Sequence, residues 1–321
     1  MGNTKQSITV RVASKRMVAE GIALFDLVSV AGEKLLPFTA GSHIDVQLPN
    51  GLVRQYSLCN DPRDSHHYSI AVQKEPNSRG GSTGMHDLVH EGHDLTISNP
   101  RNHFPLVTDA KRSLLLAGGI GITPLMSMAS ELTNSGATFE LHCCSRSRQR
   151  AAFLDHLMES KFGQQVQFHF DDEGQKLDLK SLLLKPSTDV HLYTCGPKGF
   201  MDAVLDTARS SGWRDQNLHY EFFSAPPTSS SLDDVFEVVL ASSGRVIPVA
   251  REQSILAALI SHGIDLTFSC EQGVCGTCLT NVLEGTPDHR DMYLTPEEQS
   301  ANDKMLDCCS RAKSSRLVLE L

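Results

Sequence analysis

The chain has 321 residues, 40% of them hydrophobic and 6% aromatic, which is enough for two or three domains with real cores. Its formal net charge of -9 argues against nucleic acid as a partner, since phosphate binding wants a basic face. No apolar run approaches the ~18 residues of a membrane span, and the opening MGNTKQSITVRVASK has no apolar h-region, so a cytoplasmic protein is expected.

The first hundred or so residues carry short strand-like runs separated by polar turns: Ser7-Ile-Thr-Val-Arg-Val, Gly21-Ile-Ala-Leu-Phe-Asp-Leu-Val, His43-Ile-Asp-Val-Gln-Leu, Tyr68-Ser-Ile-Ala-Val-Gln and Leu95-Thr-Ile-Ser. They predict a small antiparallel barrel over residues 1–107. Within it, Arg54-Gln55-Tyr56-Ser57-Leu58 places a forked cation suited to a phosphate two residues before an aromatic ring on the same strand face. That ring could pack on a planar cofactor, and Ser57 could bond a ring heteroatom. Taken alone, the stretch is short enough to be an ordinary strand. Ser78-Arg79-Gly80-Gly81-Ser82-Thr83, with a helix expected to start near Thr83, adds a nest for a phosphate.

From Ser113 the pattern changes to apolar strands spaced by helix-sized segments: Leu114-Leu-Leu-Ala, Phe139-Glu-Leu-His-Cys-Cys, Val166-Gln-Phe-His-Phe and His191-Leu-Tyr-Thr-Cys. This predicts an α/β domain with a parallel sheet over 108–225. Ala117-Gly118-Gly119-Ile120-Gly121-Ile122-Thr123-Pro124 follows the first of these strands. It is part of a dinucleotide fingerprint, with Pro124 at the third glycine position and expected at the first helical position. A pyrophosphate can rest on such a helix start. Tyr193-Thr194-Cys195-Gly196-Pro197 makes a second strand-to-helix turn at the same edge of the sheet. Asp171 and Asp172 would repel a 2′-phosphate, whereas the arginines of Ser145-Arg146-Ser147-Arg148 can serve either NADH or NADPH.

Residues 226–233, within a Pro- and Ser-rich stretch, read as a linker, and 234–321 as a third domain. Nine cysteines in such a chain suggest a reducing compartment and thiols that bind metal or do redox work. Cys270, Cys275, Cys278 and Cys308 give C-x4-C-x2-C…C, the plant-type [2Fe–2S] ligand spacing. Two irons each need two thiolates, so a tight loop wraps one side and a distant cysteine closes the other. Gly273 and Gly276 allow close backbone approach. Cys309 is the alternative to Cys308. A structural zinc site is the competing reading, although zinc sites usually show two-residue spacings in both halves. Around the loop, a strand pair joined by Ser-Ser-Gly, a helix from Ser254 closed by Gly263, and a capping box at Thr295-Pro296-Glu297-Glu298 are expected.

In this order the motifs R-x-Y-S, RGGS, GGIGITP, CGP and C-x4-C-x2-C…C resemble the phthalate dioxygenase reductase family, within the ferredoxin–NADP reductase superfamily; the reductases of vanillate demethylase and carnitine monooxygenase are similar. The resemblance covers nearly the whole chain. It implies a multidomain protein: an antiparallel FMN-binding barrel, an α/β NAD-binding domain and a C-terminal β-grasp plant-type ferredoxin domain. It further implies that Arg54 meets the FMN phosphate, that Tyr56 and Ser57 line the flavin ring with Gln55 among the contacts, and that Gly80, Gly81, Ser82 and Thr83 hold the phosphate. Gly119, Gly121 and Thr123 would face the NADH pyrophosphate and ribose. Cys195, Gly196 and Pro197 would lie near the nicotinamide, and Phe223 near the flavin face. The implied activity is electron transfer from NADH through FMN and the cluster to an oxygenase component, commonly Rieske-type. A monomer is expected. A stand-alone flavin reductase, a redox-sensing module and a reductase for a non-Rieske acceptor are the rival readings.

Overall fold

The computed structural model describes residues 7–76, 78–223 and 233–321. The expected linker, 226–233, lies outside the described residues except for Asp233. The chain forms two compact units, residues 1–221 and 222–321.

The first unit opens with β1 (Ser7–Ala19), β2 (Ile22–Ser29), β3 (Ser42–Gln47), β4 (Val53–Ser57), β5 (His67–Gln73), α1 (Gly81–Leu88) and β6 (Asp94–Ser98). The strands pair antiparallel in the order β4-β3-β6-β1-β2-β5, with a two-residue strand at Arg101–Asn102 beside β3. Leu58, just past β4, bridges Ile70 of β5, so the two edges meet and the sheet closes into a barrel. Alternation drives this: Val10 and Val12, Ile44 and Val46, and Leu95 and Ile97 are spaced by two, and all point into one core with Phe25, Leu27 and Tyr68. The helix α1 begins at Gly81, two residues before the expected start. Gly80 sits at φ 85, a left-handed turn only glycine adopts cheaply, and this lets the helix begin early.

A parallel sheet follows: β7 (Arg112–Gly118), α2 (Ile122–Ser135), β8 (Thr138–Ser145), α3 (Leu154–Glu159), β9 (Val166–Phe170), α4 (Leu179–Leu183), β10 (Val190–Cys195), α5 (Lys198–Ser210) and β11 (Leu218–Glu221). The strand order is β9-β8-β7-β10-β11, every pair parallel. The order reverses direction between β7 and β10, which makes that gap the place where a dinucleotide lies in open α/β sheets. A 3-10 turn over Gly119–Gly121 precedes α2, so Pro124 is the third helical residue rather than the first. The shift costs no hydrogen bond, because the first-turn amides have no partner within the helix.

The second unit contains β12 (Phe236–Leu240), β13 (Val246–Val249), α6 (Ile255–Ser261), β14 (Leu279–Glu284), α7 (Pro296–Ala301), β15 (Lys304–Leu306) and β16 (Arg316–Leu319). The sheet runs β13-β12-β16-β14-β15, with β12 and β16 parallel at its centre. Ile255, Ala258 and Leu259 of α6 pack on Val238, Ile247, Leu317 and Leu319 of the sheet, the arrangement of a β-grasp. Both expected helix signals are present. Ser254 caps α6, with Gly263 at φ 79 past its end, and Thr295 and Glu298 form a reciprocal capping box on α7.

Candidate functional site

The loop between α6 and β14 carries Cys270, Cys275 and Cys278, and Cys308 follows β15; all four are buried. Their sulfurs meet in two pairs, Cys270 with Cys275 and Cys278 with Cys308. Pairing, and then burial, push Cys270 and Cys278 up, whereas the hydrogen bond from Cys270 and another from Thr277 hold Cys275 well below the ordinary thiol range. Backbone amides already point at sulfur: Gln272 N donates to Cys270 Sγ at 3.3 Å and Thr277 N to Cys275 Sγ at 3.5 Å. Donors of this kind stabilise the negative charge of a thiolate-bound cluster. Two pairs suit two irons, and these four residues could hold a [2Fe–2S] cluster. Cys309 touches Cys308 rather than Cys278, and its Sγ donates toward the Leu306 carbonyl at 3.8 Å. A Cβ on Gly273 would come within 2.6 Å of that sulfur.

In the barrel, Arg54 lies across the start of α1. A Cβ added to Gly81 would fall 2.8 Å from Arg54 Nε, so the guanidinium and the helix N-terminus form a cradle that only glycine leaves open. The first turn of α1 has no side-chain cap and no carboxylate, and Ser78 Oγ lies 3.4 Å from both Thr83 N and Thr83 Oγ1. An anion is welcome at such an end. Ser82 Oγ instead accepts from the Glu75 amide at 3.0 Å. Tyr56 packs against the barrel core, and burial raises its hydroxyl above the ordinary range. Gln55 and Ser57 take the opposite strand face, where Gln55 Nε2 donates to Asp45 Oδ1 at 2.9 Å.

The turns after β7 and β10 press on one another. A Cβ on Gly121 would strike the Cys195 carbonyl and come within 2.6 Å of Gly196 N; one on Gly196 would lie 2.9 Å from Gly118 Cα. Gly119 is partly exposed at φ 53. Thr123 is buried and donates its hydroxyl to the Ile120 carbonyl at 3.0 Å, so it fastens the turn. The helix α2, like α1, starts without a side-chain cap or an acidic residue. Cys195 is fully buried, Pro197 is the exposed N-cap of α5, and Phe223 lies two residues beyond β11.

The structure brings Ser57, Cys195 and Glu221 together from two sheets. Ser57 Oγ is 3.5 Å from Glu221 Oε2, at the outer limit of a hydrogen bond. Burial pushes the Glu221 carboxyl up to about 8, partly offset by Ser57. Burial, with the Glu221 charge adding to it, pushes the Cys195 thiol well up. The corner therefore presents a hydroxyl, a neutral thiol and a carboxyl able to keep its proton at pH 7. Glu221 was not among the residues the sequence singled out. It lies inside His219-Tyr-Glu-Phe-Phe223, where the resemblance points only to Phe223.

Residues 238–313 match the 2Fe-2S iron-sulfur cluster binding domain. The vanillate O-demethylase oxidoreductase of Pseudomonas putida is 50% identical over 97% of this chain and 98% of its own. The solved phthalate dioxygenase reductase, described as a modular structure for electron transfer from pyridine nucleotides to [2Fe-2S], superposes with a TM-score of 0.80, 39% identity and 98% coverage of both chains. The chain belongs to the phthalate dioxygenase reductase family. A self-sufficient type IV cytochrome P450 monooxygenase contains a similar segment, with a TM-score of 0.83 and 41% identity over 98% of this chain and 41% of the longer one. Family membership accounts for three features standing in one chain: the cradle at α1, the paired turns after β7 and β10, and the thiol pairs beside β14. Among the described residues no helix is long and apolar enough to cross a membrane.

Proposed function

We propose that this chain is the reductase component of a multicomponent oxygenase, taking electrons from NADH through FMN to its [2Fe–2S] cluster and on to a Rieske-type oxygenase. The observation that carries this reading is the two buried thiol pairs, in a ferredoxin fold on the same chain as a flavin-type barrel and a dinucleotide sheet. When bound, the flavin links a donor of electron pairs to a centre that accepts one electron at a time. The protein's own part is placement. Arg54 and the start of α1 hold a phosphate, the turns at Gly119–Gly121 and Cys195–Pro197 orient the nucleotide, and Ser57 with Glu221 offers an uncharged polar corner beside it.

FMN is preferred over FAD because β5 ends at Gln73 and α1 begins at Gly81, which leaves seven residues between them and, among the described ones, no added element to hold an adenosine. NADH is preferred because Asp171 and Asp172 follow β9, where ribose hydroxyls are read. We also propose domain limits of 1–107, 108–225 and 234–321, a monomer and a cytoplasmic setting. The competing acceptor is a haem monooxygenase, favoured by the cytochrome P450 that contains a matching segment.

The test is an anaerobic visible spectrum of wild type and Cys275→Ser during NADH addition. Wild type should bleach both its flavin bands and its thiolate–iron shoulder. The variant should bleach flavin alone and lose electron output to a Rieske oxygenase. Undiminished output from the variant would take the cluster off the path.

A further inference from the structure

The adenosine half of a dinucleotide lies over the carboxyl ends of β8 and β9 in a sheet of this order. The two loops there are laced by main-chain bonds from Asp171 N to the Ser145 carbonyl and Asp172 N to the Arg146 carbonyl, each 3.1 Å. Arg148 leaves the first loop and lies with its guanidinium 4.6 Å over the Phe170 ring. Glu173, from the second loop, grips it with both oxygens: Nε to Oε1 at 2.6 Å and Nη2 to Oε2 at 3.1 Å. Beside them is a cavity of about 310 Å³ bordered by Arg148, Phe168, Phe170 and Gln175.

A 2′-phosphate is recognised by a forked cation whose donors are available. Here the Nε–Nη2 edge of Arg148 is paired with Glu173, and Asp171 and Asp172 add negative charge at the same edge of the sheet. We infer that Glu173 is a specificity-determining residue: by taking the Nε–Nη2 edge of Arg148 and setting a carboxylate beside it, it weakens the bidentate contact that the extra phosphate of NADPH needs, while the adenosine of NADH makes no such demand. The inference rests on the proposal that this sheet edge receives the pyridine nucleotide. It differs from the simple repulsion by Asp171 and Asp172 because it places a competent phosphate reader on this chain, held back by one neighbour.

The experiment uses the full chain with its flavin and cluster. It measures kcat/KM for NADH and NADPH, and binding of 5′-AMP and 2′,5′-ADP. Wild-type preference for NADH over NADPH tests the underlying reading. Release of Arg148 tests the inference by itself. In Glu173→Ala, kcat/KM for NADPH and affinity for 2′,5′-ADP should rise about 5- to 20-fold, from release of a surface-paired guanidinium and loss of a carboxylate that repels the phosphate. Values for NADH and 5′-AMP should change less than about threefold, since the lost pair is a surface one. The milder Glu173→Gln should move the same way by less. Adding Arg148→Ala to Glu173→Ala should erase the gain. Unchanged 2′,5′-ADP affinity in folded Glu173→Ala, or a gain that survives the loss of Arg148, overturns the inference.

Discussion

Replacing Glu221 by Gln removes a carboxyl that burial pushes up to about 8 and keeps its shape beside Ser57. In the unfolded chain the same group titrates near 4.5. Between those values the folded protein binds a proton that the unfolded one has released, so this group's contribution is fully present below about pH 4.5 and is lost as pH rises through 8. At about 1.4 kcal/mol per pH unit the full window amounts to at most ~5 kcal/mol; water at this partly covered residue should reduce that to about 2 kcal/mol. The Glu221→Gln variant carries no such slope. Urea unfolding can be followed through Trp213, the single tryptophan of the chain, which is buried in the same unit with its indole N–H on the Leu183 carbonyl at 3.0 Å. At pH 5 the variant and wild type should differ little. By pH 8.5 the variant should have gained about 2 kcal/mol relative to wild type. A difference that stays flat from pH 5 to 9 would mean that Glu221 is already ionised in the folded protein, and the reasoning about this corner would fail.

Arg54→Ala should weaken flavin phosphate binding by about tenfold or more, read by fluorescence on dilution, because it removes the cation across the start of α1. Gly121→Ala drives a methyl group into the Cys195 carbonyl, where neither side can yield; a loss of about 1–3 kcal/mol in urea unfolding and weaker ADP-ribose binding are expected. Cys308→Ala should lose iron and acid-labile sulfide, whereas Cys309→Ala should keep both, since it is Cys308 that meets Cys278. Equal iron loss from the two variants would assign the fourth ligand wrongly.

The legible parts of the molecule were local ones. The capping box at Thr295 needs only four consecutive residues, and the thiol spacing at Cys270–Cys278 only nine. Strand β1 runs on to Ala19, well past Val12, and its second half is hidden in the sequence because register shifts at Val12/Ser14 and Met17/Ala19 break the alternation that would have announced it. Strand β11 is a four-residue edge strand, too short to stand out. The choice between Cys308 and Cys309 depends on which sulfur faces Cys278, and spacing cannot supply that. Glu221 was invisible for a deeper reason. Nothing in His219-Tyr-Glu-Phe-Phe223 says that β11 will bring this carboxyl to Ser57, 164 positions away.

Where the bends after β7 and β10 touch, main chain meets main chain with no side chain between them. Such a seam has no slack to give. The rim where Arg148 and Glu173 sit on exposed loops has that slack. Under the proposed assignment, coenzyme choice can be altered at that rim without disturbing the seam.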